Sequence, residues 1–471
     1  MTTGNGSHSR LSRRRFLKVA GAAGAAFALP TFIPATALGR GGRPAPSERI
    51  TVGIVGWGMI APDNTQGLMA LKDCQVVASC NIDKSHLKQS LDVINGFYQN
   101  KDCKSYHDYR KMLARDDLDA VMIAVPDHWH ELIAVAAARR KKDIYGEKPL
   151  AKTIAEQQRI VQAVRENGCI WQTGSWQRSK GSFHKAAEIV RNGLIGKISR
   201  VEVGLPSGHT DFAHIEPEFV KKLAALNAGI TSPAQVLPGT AAWNLAVTKA
   251  PRELDYNTWI GPSRMEPYIK VRGHLDWRWN YNTGGGQLMD WVGHHVDIAH
   301  WGLGFDSSGP YELEGHGDFP PQEAIWNTCT KYRIELKYPN DIRMTIAGGH
   351  DDIKNGTKWI GSDGWVWVNR ESFDASNEDW RDIKELSDRD AKIKLIKSTD
   401  HYRNFIDSVK SRQPTITPVE TAHHSTLPGH LGLISMWVGR KLRWDAAREE
   451  ILDDPTATDL MTRMYRPPYE M

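Results

Sequence analysis

The stretch RITVGIVGWGMIA, Arg49 to Ala61, decides the fold of this chain. Ile50, Val52, Ile54 and Val55 form a β-branched run of the kind that parallel sheets bury on both faces. The run breaks at Gly56-Trp57-Gly58-Met59-Ile60-Ala61, a Gly-x-Gly-x-x-Ala turn that opens a helix. Gly56 permits the tight turn, Gly58 lets the backbone touch a pyrophosphate, and Ala61 is small enough for helix and strand to pack closely. The first free N–H groups of that helix would face the anion. A bare Gly-x-Gly is an ordinary turn. Between a readable strand and a readable helix it predicts a dinucleotide site formed by Gly56, Trp57, Gly58, Met59 and Ile60.

Working outward, strand and helix alternate from Ile50 to Gln172, the pattern of a doubly wound α/β domain. The opening helix is expected to reach about Leu71. Strands are expected at Gln75–Cys80, Asp119–Val125, Asp143–Gly146 and Cys169–Gln172. Asn81 occupies the slot, about twenty positions past the glycines, where an acidic residue usually takes the adenosine ribose hydroxyls. An Asn does not repel a 2′-phosphate, so NAD and NADP are both allowed. Lys84 reads either as a partner for that phosphate or as a solvated charge at a helix start. Pro126-Asp127-His128-Trp129-His130 follows a strand at its C-terminal end, where ligands of open α/β sheets bind, and a helix His130 to Arg140 comes next. Asp127, His128 and His130 are placed near the nicotinamide ribose, with His130 open to being only a helix-start residue. In Glu147-Lys148-Pro149 the proline restricts Lys148 to an extended conformation at the mouth of the sheet. Thr153 is a good N-cap for a helix to Asn167, which Gly168 ends.

After Gln177 the style changes. A helix Phe183–Asn192, a strand Ile198–Val203, long irregular stretches, and period-2 strands at Lys331–Lys337, Ile342–Ile346 and Trp365–Asn369 predict an α+β domain on a large open mixed or antiparallel sheet. Late helices are expected at His401–Val409 and Pro428–Leu442. The division expected is 1–37 leader, 38–48 linker, 49–177 cofactor domain and 178–471 second domain. The leader carries Ser12-Arg13-Arg14-Arg15-Phe16-Leu17-Lys18, a twin-arginine pattern, then a weakly apolar run too short for a stable span. This predicts export of a folded protein to the periplasm, with no stable membrane insertion after cleavage. Five cysteines lack a Cys-x-x-Cys pair, which excludes zinc sites of that kind, although an exported chain could join two of them. The net charge of +5 comes without a basic run interleaved with aromatics, so nucleic acid is not an expected partner.

A second informative stretch is GGGQLMDWVGHHVDIAHW, Gly284 to Trp301. On a helix Asp290, His294 and Asp297 share one face. A carboxylate one turn from an imidazole can orient it, which makes His294 a candidate general base. The same pattern also fits a surface ion pair or a satisfied core histidine. A metal set of His294, His295, Asp297 and His300 is disfavoured, because adjacent helical residues point about 100° apart; no metal is expected. Trp176, Gln177, Arg178, Trp277, Trp279 and Tyr281 flank the two stretches and are candidates for a sugar pocket, since Trp and Tyr stack on sugar rings.

These motifs together resemble the glucose–fructose oxidoreductase, inositol dehydrogenase and MocA (Gfo/Idh/MocA) family. The resemblance runs from Arg49 to the C-terminus through GIVGWGMIA, AVPDHWH, Glu147-Lys148-Pro149 and Asp290-Trp-Val-Gly-His294. It implies hydride transfer between a secondary hydroxyl of a sugar or polyol and a tightly bound NAD or NADP. It implies catalytic roles for Lys148, Asp290 and His294, which would also touch substrate with Trp176, Arg178, Trp277 and Tyr281. It implies cofactor contacts from Pro126, Asp127, His128, His130, Glu147, Lys148 and Gln177, and a homo-oligomer through the second sheet. Asn81 departs from the Asp of many NAD-preferring members. Glycoside cleavage by transient oxidation is an alternative, although its Tyr-Pro-Thr-His stretch is not found. A non-catalytic sugar- or cofactor-binding protein would be free to lose Lys148, Asp290 and His294, yet all three are present.

Overall fold

The computed structural model describes residues 44–470 save 210–214, 227–228, 383–385 and 388–389. The expected leader and most of the linker lie outside the described residues. From Ile50 onward the chain forms one unit. Its first six strands are β1 (Ile50–Val55), β2 (Cys74–Cys80), β3 (Lys104–Tyr106), β4 (Ala120–Ile123), β5 (Asp143–Gly146) and β6 (Trp171–Thr173). They pair in parallel in the order β3-β2-β1-β4-β5-β6. The helices between them are α1 (Ala61–Ala70), α2 (Lys84–Tyr98), α3 (Tyr109–Leu113), α4 (His130–Arg139) and α5 (Ile154–Asn167). The order reverses between β1 and β4, which opens a crevice at the C-terminal strand ends.

Local chemistry sets the boundaries. Thr153 caps α5 in a full capping box with Glu156, and Gly168 ends it in the left-handed region at φ 62°. Cys169 was expected to begin β6, but its N–H still closes the helix end on the Val164 carbonyl, so the strand starts two residues later at Trp171.

The second layer is a nine-stranded mixed sheet, as the period-2 segments predict. Its strands are β7 (Ile198–Leu205), β8 (Glu312–Asp318), β9 (Lys331–Lys337), β10 (Arg343–Gly348), β11 (Gly356–Gly361), β12 (Trp365–Val368), β13 (Phe373–Ala375), β14 (Leu442–Asp445) and β15 (Glu450–Leu452). Their order is β13-β12-β11-β7-β10-β9-β8-β14-β15, with only β7 and β10 parallel. One face packs against α6 (Gly181–Arg191), α7 (Gly286–Leu303) and a late helix α9 (Val419–Val438). The other face shows Lys331, Glu335 and Lys337 to solvent.

Two late elements differ from expectation. Leu442 lies in β14, and α9 starts at Val419 with Pro428 inside it. Pro428 cannot donate to the His424 carbonyl, a defect usually fatal to a helix. Here α9 is buried against α7, β8 and α5, and packing outweighs the lost bond. The helix α8 (His401–Ser411) crosses back to the first sheet, where Phe405, Ile406 and Val409 pack with Val52, Ile54 and Met122. All five cysteines are free. No helix among the described residues is long and apolar enough to cross a membrane.

Candidate functional site

The crevice begins at the glycine turn. Gly56 stands at φ 94°, and a Cβ there would lie 2.1 Å from the Ala124 carbonyl oxygen, so no other residue fits. A Cβ on Gly58 would meet no protein atom within 4 Å. The space above it is open, with the N-terminus of α1 beside it carrying no side-chain cap. An open glycine cradle and an uncapped helix start fit a dinucleotide.

The Lys148 turn meets α7 there. Lys148 Nζ donates to Asp290 Oδ1 at 2.7 Å and to the Asp290 carbonyl at 2.9 Å. Gly293 eases the approach, since a Cβ on it would stand 3.2 Å from Lys148 Cβ. Arg278 Nε lies 3.5 Å from the same carboxylate. Burial alone would raise the Asp290 pKa, but Lys148, then Arg278, and further off Arg370 hold it down to about 2. Asp290 therefore braces Lys148, and no hydrogen bond joins it to His294 as the helix-face reading proposed. His294 is buried, with Nδ1 free of any partner. Burial first, then Lys148, Arg370 and His295, push its pKa well below the usual value. Its ring is neutral.

Asp297, one turn further on, does not join this group. It forms a buried ion pair with Arg178 at 2.7 Å, and burial raises its pKa to about 6 against the pull of Arg178. Arg178 also holds Asp306 and is 2 % exposed, so it anchors α7 and faces no substrate. Gln177, expected at the cofactor, is fully buried; it bonds the His294 carbonyl and accepts from Arg370 Nε. Trp57 packs in the core and offers only its backbone.

His128 and His130 are clasps. Both ring nitrogens of His130 face carbonyls at 2.8 Å, those of Pro149 and Val125, and so tie the two loops together. His128 sits between the Thr283 and Trp259 carbonyls, and burial lowers its pKa to about 3. Glu147 turns inward to Asn64 at 2.7 Å, and burial raises its pKa. Pro126 and Ile60 are partly buried at the rim, and Met59 is exposed. Asn81 accepts from the Asp83 N–H, and Lys84 is exposed beside it.

Of the aromatic candidates, Trp176 takes the Arg370 guanidinium at 4.9 Å, and Arg370 also covers Trp291. Trp277 holds Arg278 in the same way, whereas Trp279 is buried. Tyr281 lines a cavity of about 170 Å³ with Asp127, Lys152, Met289 and Arg463. Burial lowers the Lys152 pKa to about 8. Sequence reasoning missed Arg278 and Arg370. Arg278 had a signal in its two flanking tryptophans, but Arg370 follows a strand with none.

The comparisons agree with this architecture. Residues 50–175 match the NAD-binding Rossmann fold of the Gfo/Idh/MocA oxidoreductase family, and residues 238–471 match that family's C-terminal alpha/beta domain. The inositol 2-dehydrogenase of Salmonella typhimurium is 32 % identical over 150 residues, which cover 31 % of this chain and 43 % of that protein. A glycosyl hydrolase family 109 protein of Shewanella pealeana is 27 % identical over 207 residues, 40 % of this chain and 44 % of that one. The chain thus spans less than half the length of these relatives. The structure of the WlbA dehydrogenase from Bordetella pertussis, in complex with NADH and UDP-GlcNAcA, superposes with a TM-score of 0.57 at 15 % identity, over 84 % of this chain and 99 % of that one. With an NAD-binding Rossmann domain joined to that family's second domain, this chain belongs to the Gfo/Idh/MocA family of oxidoreductases.

Proposed function

We propose that this protein oxidises and reduces a secondary hydroxyl of a sugar or polyol with a tightly held NAD or NADP. The observation that carries the reading is the meeting of Lys148, braced by Asp290, with a neutral His294 whose Nδ1 has no partner. Gly56, Gly58 and the start of α1 would hold the pyrophosphate, and Asn81 the adenosine ribose. The bound dinucleotide supplies the acceptor for the hydrogen that leaves carbon with its electron pair. Lys148 donates to the substrate oxygen, and the Arg278 and Arg370 charges favour the alkoxide that develops there. His294 takes the hydroxyl proton on its imidazole ring. A ring whose protonated form is disfavoured rests in the base form and passes the proton on readily. Trp176 and Trp277, with their stacked arginines, are the proposed sugar-facing surfaces.

The twin-arginine pattern supports export, where a free dinucleotide pool is not expected. A cycle that returns the electrons to a second sugar, or to the same one, fits that setting. The family 109 relative keeps glycoside cleavage by transient oxidation as the second reading. The charged outer face of the large sheet is the proposed contact between copies of the chain.

The test is to denature the purified protein, identify the released dinucleotide by mass, and follow nicotinamide absorbance over a sugar panel. Lys148→Ala and His294→Ala are each expected to lower kcat by about 10²–10⁴. Wild-type rates in both variants would refute the assignment. Release of an aglycone with no lasting absorbance change would select the cleavage reading.

A further inference from the structure

Away from the crevice, α9, α5 and the β14–β15 turn enclose a second polar cluster. His423, His424 and Glu449 each offer one donor atom, all within 4.8 Å of one another. Both histidines are more than nine-tenths buried. Neither His424 Nδ1 nor His423 Nε2 has a hydrogen-bond partner.

The polarity of the neighbours is fixed. Thr426 Oγ1 donates to the Ala422 carbonyl, so it accepts from Gln157 Nε2 at 2.9 Å. Gln157 Oε1 must then accept from His423 Nδ1, at 2.8 Å. That leaves Nε2 as the bare nitrogen of a neutral His423, facing the Glu449 carboxylate at 3.2 Å. Two acceptors at that separation need a cation or a proton between them. Gln157 is the kind of outer partner that sets the tautomer of a metal-binding histidine. Gln158 steadies the third group, donating to the Glu449 carbonyl at 3.2 Å and to its carboxylate at 3.1 Å. Glu449 stands at φ 54°, where Gly or Asn is usual, so the turn keeps a carboxylate at a conformational cost.

We propose that His423, His424 and Glu449 bind a divalent transition-metal ion of the zinc class. Imidazole nitrogens and a carboxylate suit such an ion, with its fourth position left to water. Adjacent histidines leave a helix at different angles, yet these rings converge to a centroid separation of 5.0 Å. At a tetrahedral angle two bonds of about 2.1 Å set their donors about 3.4 Å apart, so the widest pair here must close by up to about 1.4 Å. The bound ion would staple the far edge of the large sheet to the cofactor domain through α5. The other cluster of this kind, Asp83, His86 and His274, is weaker. There the Asp83 carboxylate already accepts from Ser85 and His86, and His274 is exposed.

The experiment uses the full chain without a histidine tag, its dinucleotide left bound, stripped by chelator and titrated calorimetrically with zinc chloride. One strong equivalent is expected. Glu449→Gln should weaken it about tenfold or more, and His424→Ala should abolish it. His86→Ala should leave it unchanged. Zinc should raise the Tm of the parent and of His86→Ala alike, that of Glu449→Gln less, and that of His424→Ala not at all. Far-UV dichroism of each metal-free variant establishes that it folds. If His424→Ala does not, Glu449→Gln, at a partly exposed turn, decides alone. A parent that binds no zinc, a Glu449→Gln variant that binds as tightly as the parent, or a loss that follows His86→Ala would each overturn the assignment.

Discussion

At the residue scale the site is governed by an excess of positive charge around one carboxylate. Arg370 contributes to that field from β12's end and helps keep His294 neutral. A base must be unprotonated, so the acid limb of the rate profile is expected well below pH 6.5. Arg370→Ala removes a charge that depresses the His294 pKa, so the limb should move to higher pH; a kcat–pH profile reads this directly. At the ribose end, Asn81→Asp would set a carboxylate against a 2′-phosphate. It is expected to weaken NADP by about tenfold or more while sparing NAD, as measured by titration of stripped protein. That Asp290 and His294 share a helix was legible in their spacing, and that Lys148 stands at a strand end was legible in Glu147-Lys148-Pro149. Their partnership was not. Helical periodicity pairs Asp290 with His294, but a cation arriving from another domain outbids a neutral ring for the carboxylate, and no local pattern announces that.

At the element scale, the start of α5 carries more than a cap. Glu156 completes the capping box and, fully buried, also accepts from Arg463 Nε and the Tyr465 hydroxyl, both at 2.7 Å. Thr153→Ala should therefore cost about 1 kcal/mol, an ordinary cap loss. Glu156→Ala should cost about 3–5 kcal/mol, since it removes the buried carboxylate that both Arg463 and Tyr465 donate to. Denaturant titration of the two variants separates them. The cap itself was readable from Thr153 and Gly168, and β5 and β9 were readable from their bounds. The short strands β3, β13 and β15 were not, since three residues carry no period. Of helix α9 only the half after Pro428 was read, because a proline marks a helix start by local preference, and here that preference gives way to burial.

For the whole molecule, many histidines are buried in the neutral form. Burial lowers the pKa of His128, His295, His300 and His430 to about 3 and of His401 to about 4. In the unfolded chain the same rings titrate near 6.5. Between those values the unfolded state binds more protons, so stability falls as pH drops from about 6.5 toward 4. Above 6.5 these groups contribute no slope. Urea midpoints measured from pH 8 to pH 4 are expected to fall steadily only in the lower half of that range. The fold class was visible in the sequence because alternation of strand and helix is a long signal. Which late helix serves which sheet was not, because that depends on contacts between segments hundreds of residues apart.

Helix α8 is the feature with the widest consequence. Phe405, Ile406 and Val409 fill the floor of a sheet built from the first third of the chain. Anyone who exchanges modules among relatives to alter cofactor preference should therefore move 50–175 and 401–412 together. A graft cut at a single point would leave a greasy trough on one piece and an unmatched ridge on the other.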